Sequence, residues 1–332
     1  MASVNPELNA ERLALPAPHA TRLIALARLR DLRSAFEGFE AEQSTGLHDL
    51  RVSIRRLRSW MRAFRAQVDD TIRGKTRRRL KRMGKLTNEA RDAEVGLGWV
   101  ITQHDVPPRA RAGVTYVHQR LERTLDDALT HSRTKLVSRL PRVLESLSSQ
   151  LEGYWLWQEV DEPRPAPRMT VAVRQALTTH IEAFAQQLGE IDGAEDADAI
   201  HRGRIAVKRL RYLLEPLSGE GMIPSLLQQL SAMQTLLGAV HDARRVRDRL
   251  MSELADAASK DARGVALRSI EQESAVDEKA PAFARIRPGL LLLVERAHAD
   301  EAACFNRFRR RWRKADIKRV VGAVEGIAGS MA

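Results

Sequence analysis

Apolar residues recur along almost the whole chain at intervals of three and four, the period of an amphipathic helix. No stretch alternates apolar and polar residues between turn signals, so strands are not expected. The pattern predicts helices over about 20–43, 47–68, 72–100, 109–151, 169–189, 197–216, 223–257, 262–276 and 288–330, the last long enough to be broken. Proline and glycine clusters mark the breaks: Pro107 and Pro108, then Gly219, Gly221 and Pro224, and above all Pro163, Pro165 and Pro167. Three prolines in five residues make a stiff, extended connection. The expected domain plan is a tail over 1–18, a helical half over 19–152, a proline-rich linker over 153–168 and a second helical half over 169–332.

The two halves read as copies of one unit. His48, Arg51, Arg55, Arg56, Leu57 and Arg58 recur as His201, Arg204, Lys208, Arg209, Leu210 and Arg211, at an offset of 153. Leu86, Arg91, Asp92 and Ala93 correspond to Leu236, His241, Asp242 and Ala243, at an offset of 150. Two blocks in the same order at nearly constant offset are the signature of an internal repeat.

The first block also has a chemical pattern. At 100° per residue, His48, Arg51, Arg55, Arg58 and Arg62 fall within an arc of about 80°. Leu50, Ile54, Leu57, Trp60, Met61 and Phe64 take the opposite side. The second copy sets His201, Arg204, Lys208 and Arg211 against Val207, Leu210, Leu213 and Leu214. One face is core and the other is a cationic stripe. Surface helices ordinarily mix acids into such a face, because like charges at i,i+4 destabilise a helix. Here Arg51 and Arg55 stand at i,i+4, as do Arg58 and Arg62, with no acid on the stripe. A bound polyanion is the economical source of the missing counter-charge. A histidine at the head of each ladder adds a donor that becomes a cation on protonation. Asp92 and Asp242 are read as ion-pair partners that orient ladder arginines.

Composition points the same way. The 332 residues are 43% hydrophobic and 30% charged, which is neither a membrane protein nor a disordered chain. The net charge is +12, and most of the 55 basic residues are arginine, whose planar fork suits phosphate. Arg78, Arg82 and Lys85 share one face of the third predicted helix and extend the basic surface. The clusters Arg244, Arg245, Arg247 and Arg309–Arg311, Arg313, Lys314 are less specific, and the latter circles its helix. A lone cysteine, Cys304, excludes a disulfide framework and a cysteine-based metal site. The first 18 residues lack an apolar signal core, so the cytoplasm is the simplest compartment.

These blocks resemble the CHAD family, the conserved histidine α-helical domains, over about residues 20–320. The resemblance rests on His48-Asp-Leu-Arg51…Arg55-Arg56-Leu57-Arg58 and His201-Arg-Gly-Arg204…Lys208-Arg209-Leu210-Arg211. The sites at Arg91-Asp92 and His241-Asp242 are similar as well. The resemblance implies an all-α fold of two four-helix-bundle-like halves related by pseudo-twofold symmetry. It also implies a basic groove that binds inorganic polyphosphate, lined by both ladders with Arg62, Arg78, Arg82, Lys85, Arg91, Arg209 and His241. Granule targeting, storage and regulation of a partner are its open purposes, as is the oligomeric state. One departure is Glu215, which stands where the first copy has Arg62 and shortens the second ladder.

Three other readings compete with polyphosphate binding. His48-Asp49-Leu50-Arg51 is similar to the phosphotransfer histidine of sensor kinases, but Ser53 replaces the expected proline and the second copy has Arg202 and Gly203 in place of the acid and leucine. Nucleic acid would share the phosphate contacts, yet the ladders carry no interleaved aromatics for base stacking. Turnover of polyphosphate would need carboxylates converging on a metal. The chain has no P-loop, no Glu-x-Glu-x-Lys strand and no His-Glu-x-x-His. A non-catalytic binding module without metal or cofactor is therefore expected. Its N-terminal half should bind more strongly, with 29 basic to 21 acidic residues over 1–166 against 26 to 22 over 167–332. The charge-free run Leu226–Leu236 is expected at a contact between halves or subunits if it is not simply a weaker counterpart of the third helix.

Overall fold

The computed structural model describes residues 7–43, 45–158, 165–217, 219, 221–270 and 282–331. Among these there are eleven α-helices and no β-strand. They are α1 (Ala10–Ala14), α2 (Ala17–Glu40), α3 (Gly46–Ala63), α4 (Gly74–Leu86), α5 (Asn88–Ile101), α6 (Arg111–Gln158), α7 (Met169–Gly189), α8 (Ala197–Leu214), α9 (Ile223–Ile270), α10 (Ala282–Arg311) and α11 (Lys314–Ser330). Helices are thus the fold, as the periodicity requires, but several boundaries differ from those read in the sequence. α6 runs through the first part of the expected linker to Gln158, α3 ends at Ala63, and α1 lies in the expected tail.

The helix expected over 72–100 is two helices, parted at Thr87. No glycine or proline marks that break. Thr87 is fully buried, and its hydroxyl donates back to the Gly84 carbonyl at 3.0 Å, a local bond that competes with continuing the helix. The helices expected over 223–257 and 262–276 are one element as far as Ile270, because nothing between them removes a backbone donor; residues 271–276 lie outside the described residues. The last predicted helix breaks at Trp312–Arg313, where the Asp316 carboxylate accepts from the Arg313 N–H at 2.9 Å and caps α11. Of the linker prolines, Pro165 and Pro167 are non-helical and Pro163 lies outside the described residues.

The chain folds into two compact units. The first comprises Met1–Asn88, His131–Leu237 and Phe308–Ala332. In it α2 packs on α3 and α7, α8 packs on α3 and α7, α4 packs on α3, and α11 packs on α7. The core is drawn from the faces the pattern selects: Leu50, Ile54, Leu57, Trp60, Met61 and Phe64 on α3, and Val207, Leu210, Leu213 and Leu214 on α8, are all buried. Each such side chain contributes about 1.5–3 kcal/mol by leaving water. The strands of chain entering α2 and α7 are tied together: the Ala17 N–H donates to the Pro167 carbonyl and the Met169 N–H to the Leu15 carbonyl, each at 2.8 Å.

Two arginines on α2 sit in this core. Arg22 donates to the carbonyls of Pro18 and Gln67 at 2.9 and 2.6 Å and to Asp70 at 3.0 Å, with its guanidinium over the Tyr154 ring. Arg28 donates to the carbonyls of Arg56 and Tyr212 at 2.8 and 3.0 Å. Burial opposes its charge and pushes its pKa down to about 10.

The second unit comprises Glu89–Thr130 and Gly238–Arg307. Its core includes Val100, Val117, Leu121, Val246, Leu250, Leu290 and Leu293. Here α6 and α10 approach to backbone contact at Gly113 and Gly289. A Cβ added to Gly113 would lie 2.1 Å from the Ile286 carbonyl oxygen, and one added to Gly289 would lie 2.2 Å from that of Ala110. Only glycine fits at such a crossing.

Candidate functional site

Of the sixteen residues expected at the site, fourteen lie in the first unit and two, Arg91 and His241, in the second. α3 and α8 pack against each other, so both ladders belong to neighbouring helices of one unit. Their buried faces force the ladder faces outward. His48, Arg62 and His201 are exposed, while Arg51, Arg55, Arg56, Arg58, Arg204, Lys208, Arg209 and Arg211 are half-buried. α4 crosses close to α3 at Gly84, where an added Cβ would meet Ile54 at 3.2 Å and Arg58 Nη1 at 3.8 Å. Its outer face carries the exposed Arg78, Arg82 and Lys85.

The cations divide by what neutralises them. Arg51 donates to Thr87 Oγ1 at 2.5 Å and Asn88 Oδ1 at 3.1 Å, so it is braced on the α4–α5 turn by neutral groups. Arg56 donates through Nε and Nη2 to Glu215 at 2.9 and 3.3 Å. Arg211 pairs with the same carboxylate at 3.2 Å and donates to Gln234 at 3.0 Å. Glu215 is therefore the buried anchor of both ladders, not simply a missing rung. Arg55, Arg58, Arg62, Arg78, Arg82, Lys85 and Arg209, by contrast, have no carboxylate partner among the described residues. The Arg55 Nε–H is buried and finds no acceptor there at all.

Electrostatics single out one part of this surface. Burial, then the charge of Arg62, lowers the pKa of both Arg58 and Arg209. Sequence reasoning passes over a fourth member, His180 on α7. Its Nδ1–H donates to the Ala176 carbonyl at 2.8 Å. Its pKa is lowered mainly by burial and further by Arg209 and Arg62, against the opposing effect of that hydrogen bond. Arg62 on α3 thus acts on Arg58 of the same helix, on Arg209 of α8 and on His180 of α7, and in each case it disfavours the protonated form. The only sequence signal for His180 is a histidine on a mostly apolar helix, which has no spacing to connect it with residues 62 and 209.

The other basic clusters are largely spoken for. Arg244 and Arg247 both donate to the buried Glu301, each at 2.5 Å. Arg245 pairs with Asp92, so Asp92 holds an arginine of that cluster. Arg91 pairs with Glu94 at 2.7 Å, one helical turn away. No cluster of His, Cys, Asp and Glu among the described residues could hold a metal ion, and no described helix is long and apolar enough to cross a membrane.

Solved structures with this fold include the CHAD domain of the plant Ricinus communis, 23% identical, covering 86% of this chain and 96% of that one with a TM-score of 0.62. PptA from Streptomyces chartreusis is 13% identical and covers 88% of this chain and 100% of that one, with a TM-score of 0.58. A search of curated proteins finds no match. The CHAD domain model matches residues 23–251, more than two thirds of the sequence, and the chain therefore belongs to the CHAD domain family.

Proposed function

We propose that this protein binds inorganic polyphosphate, without turning it over, on the basic surface made by α3, α8 and the outer face of α4. The observation that carries the reading is the set of ladder cations Arg55, Arg58, Arg62 and Arg209 on the packed helices α3 and α8, with no carboxylate partner among the described residues. Such an arrangement costs folding free energy unless an anion sits on it. A polymer with one negative charge per repeating phosphate matches a row of arginines spaced by helical turns. Arg55, Arg58, Arg62, Arg78, Arg82, Lys85, Arg204, Lys208 and Arg209 are its direct contacts, with His48 and His201 at the ladder ends. Arg51, Arg56 and Arg211 contribute their remaining N–H groups from fixed positions. Arg91 and His241 belong to the second unit and are read as phosphate contacts of that unit by themselves. The family's known ligand is the same polymer.

The two ladders are read as duplicated copies in the sequence halves 19–152 and 169–332, with the expected linker 153–168 between them, of which α6 takes the part up to Gln158. The reciprocal backbone pairing of Leu15–Ala17 with Pro167–Met169 supports that plan, since it relates equivalent entries into α2 and α7. Aromatic residues beside the ladders, Trp60, Phe64 and Tyr212, are buried and offer no platform for bases, which favours polyphosphate over nucleic acid.

Competition at physiological salt tests the proposal. Long polyphosphate should displace a labelled polyphosphate probe, short polymer should do so less well, and duplex DNA should be weaker at matched phosphate concentration. Orthophosphate as effective as the long polymer, or DNA that outcompetes it, overturns the reading.

A further inference from the structure

Two stretches that the polyphosphate surface leaves without a role meet in the first unit. One is the charge-free run Leu226–Leu236, near the start of α9. The other is the basic run that begins at Arg309 and crosses the α10–α11 break. Gln229 of the first run, with Arg311, Trp312, Asp316 and Arg319, lines a cleft of about 390 Å³. Val320 and Ala323 on α11 add apolar wall. That volume is in the range that holds a small organic ligand.

The chemistry of the lining is specific. Trp312 is only 3% exposed, and its indole Nε1–H is buried without an acceptor among the described residues. A buried tryptophan normally finds such a partner. The Arg311 guanidinium lies over the indole, 5.2 Å from the ring centroid. Asp316 is already committed, accepting from the Arg313 N–H and pairing with Arg319, and these bonds hold its carboxyl below the usual range. Two arginines and one aspartate leave a formal charge of +1. That suits a single anionic group and not a polymer, which would also gain nothing from Val320, Ala323 and the indole. The Gln229 amide can both donate and accept.

We propose that this cleft binds a small amphipathic anion: a planar ring carrying one phosphate monoester or carboxylate. The anionic group sits between Arg311 and Arg319. The ring packs on Val320 and Ala323, and an acceptor atom of the ligand takes the Trp312 indole N–H. The site uses none of the ladder residues and stands whether or not the ladders bind polyphosphate.

The test is a titration of the full chain with isotope-labelled indole groups, the Trp312 signal among the five tryptophans being identified by its loss in W312F. Phenyl phosphate and adenosine 5′-monophosphate are the probes, with inorganic phosphate as control at matched ionic strength. Phenyl phosphate should shift the Trp312 indole N–H saturably, at least about tenfold more tightly than inorganic phosphate. R311A should weaken that response about tenfold or more. Tighter binding of adenosine monophosphate assigns a nucleotide, and weaker binding assigns a smaller aryl anion. No shift with either organic probe up to about 10 mM, or an equal response to inorganic phosphate, overturns the proposal.

Discussion

Arg56 and Glu215 lie 159 positions apart in the chain, yet the arginine places Nε 2.9 Å from one carboxylate oxygen and Nη2 3.3 Å from the other. The carboxylate is buried, with a side-chain exposure of 5%, and it also receives Arg211, with Arg28 at 4.0 Å. One acid thus serves three arginines, including the fully buried Arg28. Removing one partner of a buried ion pair leaves the others uncompensated, at about 3–5 kcal/mol. Glu215→Ala should lower stability by that order in urea unfolding. Adding Arg56→Ala to it should cost much less than the sum of the two single changes, because the pair is coupled. An additive double mutant would show that Glu215 acts through packing alone.

The cations without an acid should carry the affinity. Arg58→Ala, Arg62→Ala and Arg209→Ala together should weaken polyphosphate binding and flatten its salt dependence by roughly two to three in slope, by analogy with counterion release from nucleic acids. Arg56→Ala with Arg211→Ala should lose less affinity and more stability, since both side chains are already held by Glu215. Removing Arg51, Arg55 and Arg58 should weaken binding more than removing Arg204, Lys208 and Arg211, because Arg211 is already held by Glu215 and the N-terminal half carries the larger positive balance. Charged hydrogen bonds contribute about 1.5–3 kcal/mol each, reduced here by solvent screening. Binding isotherms at several salt concentrations check both comparisons.

His180 should report on the bound anion. In the free protein its pKa lies below the ordinary 6.5, first through burial and then through Arg209 and Arg62. As pH falls through 6.5, the unfolded chain takes up the proton before the folded one, so this residue makes the free protein less stable on the acid side. An anion on Arg62 and Arg209 cancels their repulsion and raises the imidazole pKa. Binding should then be accompanied by proton uptake at the imidazole and tighten as pH falls. A histidine titration with and without polyphosphate reads the shift directly, and His180→Gln should reduce the pH dependence.

The glycine crossing in the second unit gives a prediction independent of any ligand. Gly113→Ala places a methyl 2.1 Å from the Ile286 carbonyl oxygen, which belongs to backbone and cannot swing aside. The helices must separate, at a cost of about 1–3 kcal/mol or more. Gly153→Ala, on the same helix α6 with nothing within 4 Å, should be neutral or stabilising by up to about 1 kcal/mol. Thermal unfolding of the two variants should therefore move in opposite directions or differ by several degrees.

Much of this protein is determined by the sequence alone. Periodicity places Leu50, Ile54, Leu57 and Trp60 on one side of α3 and the arginines on the other, because 100° per residue is a local property that no neighbour can change. The repeated His-x-x-Arg ladders are legible for the same reason. What the pattern does not carry is which charge meets which. Glu215 reads in the sequence as a gap in the second ladder, and only the packing of α3 on α8 buries it between Arg56 and Arg211. His180 has no spacing relation to Arg62 or Arg209, and α7 brings it to them from another part of the chain. Thr87 breaks a helix through its own hydroxyl, without a glycine or proline to announce it. A helix period fixes where a side chain stands on its own helix, whereas burial, ion pairing and pKa depend on the helix that covers it, and that is settled only when distant segments pack.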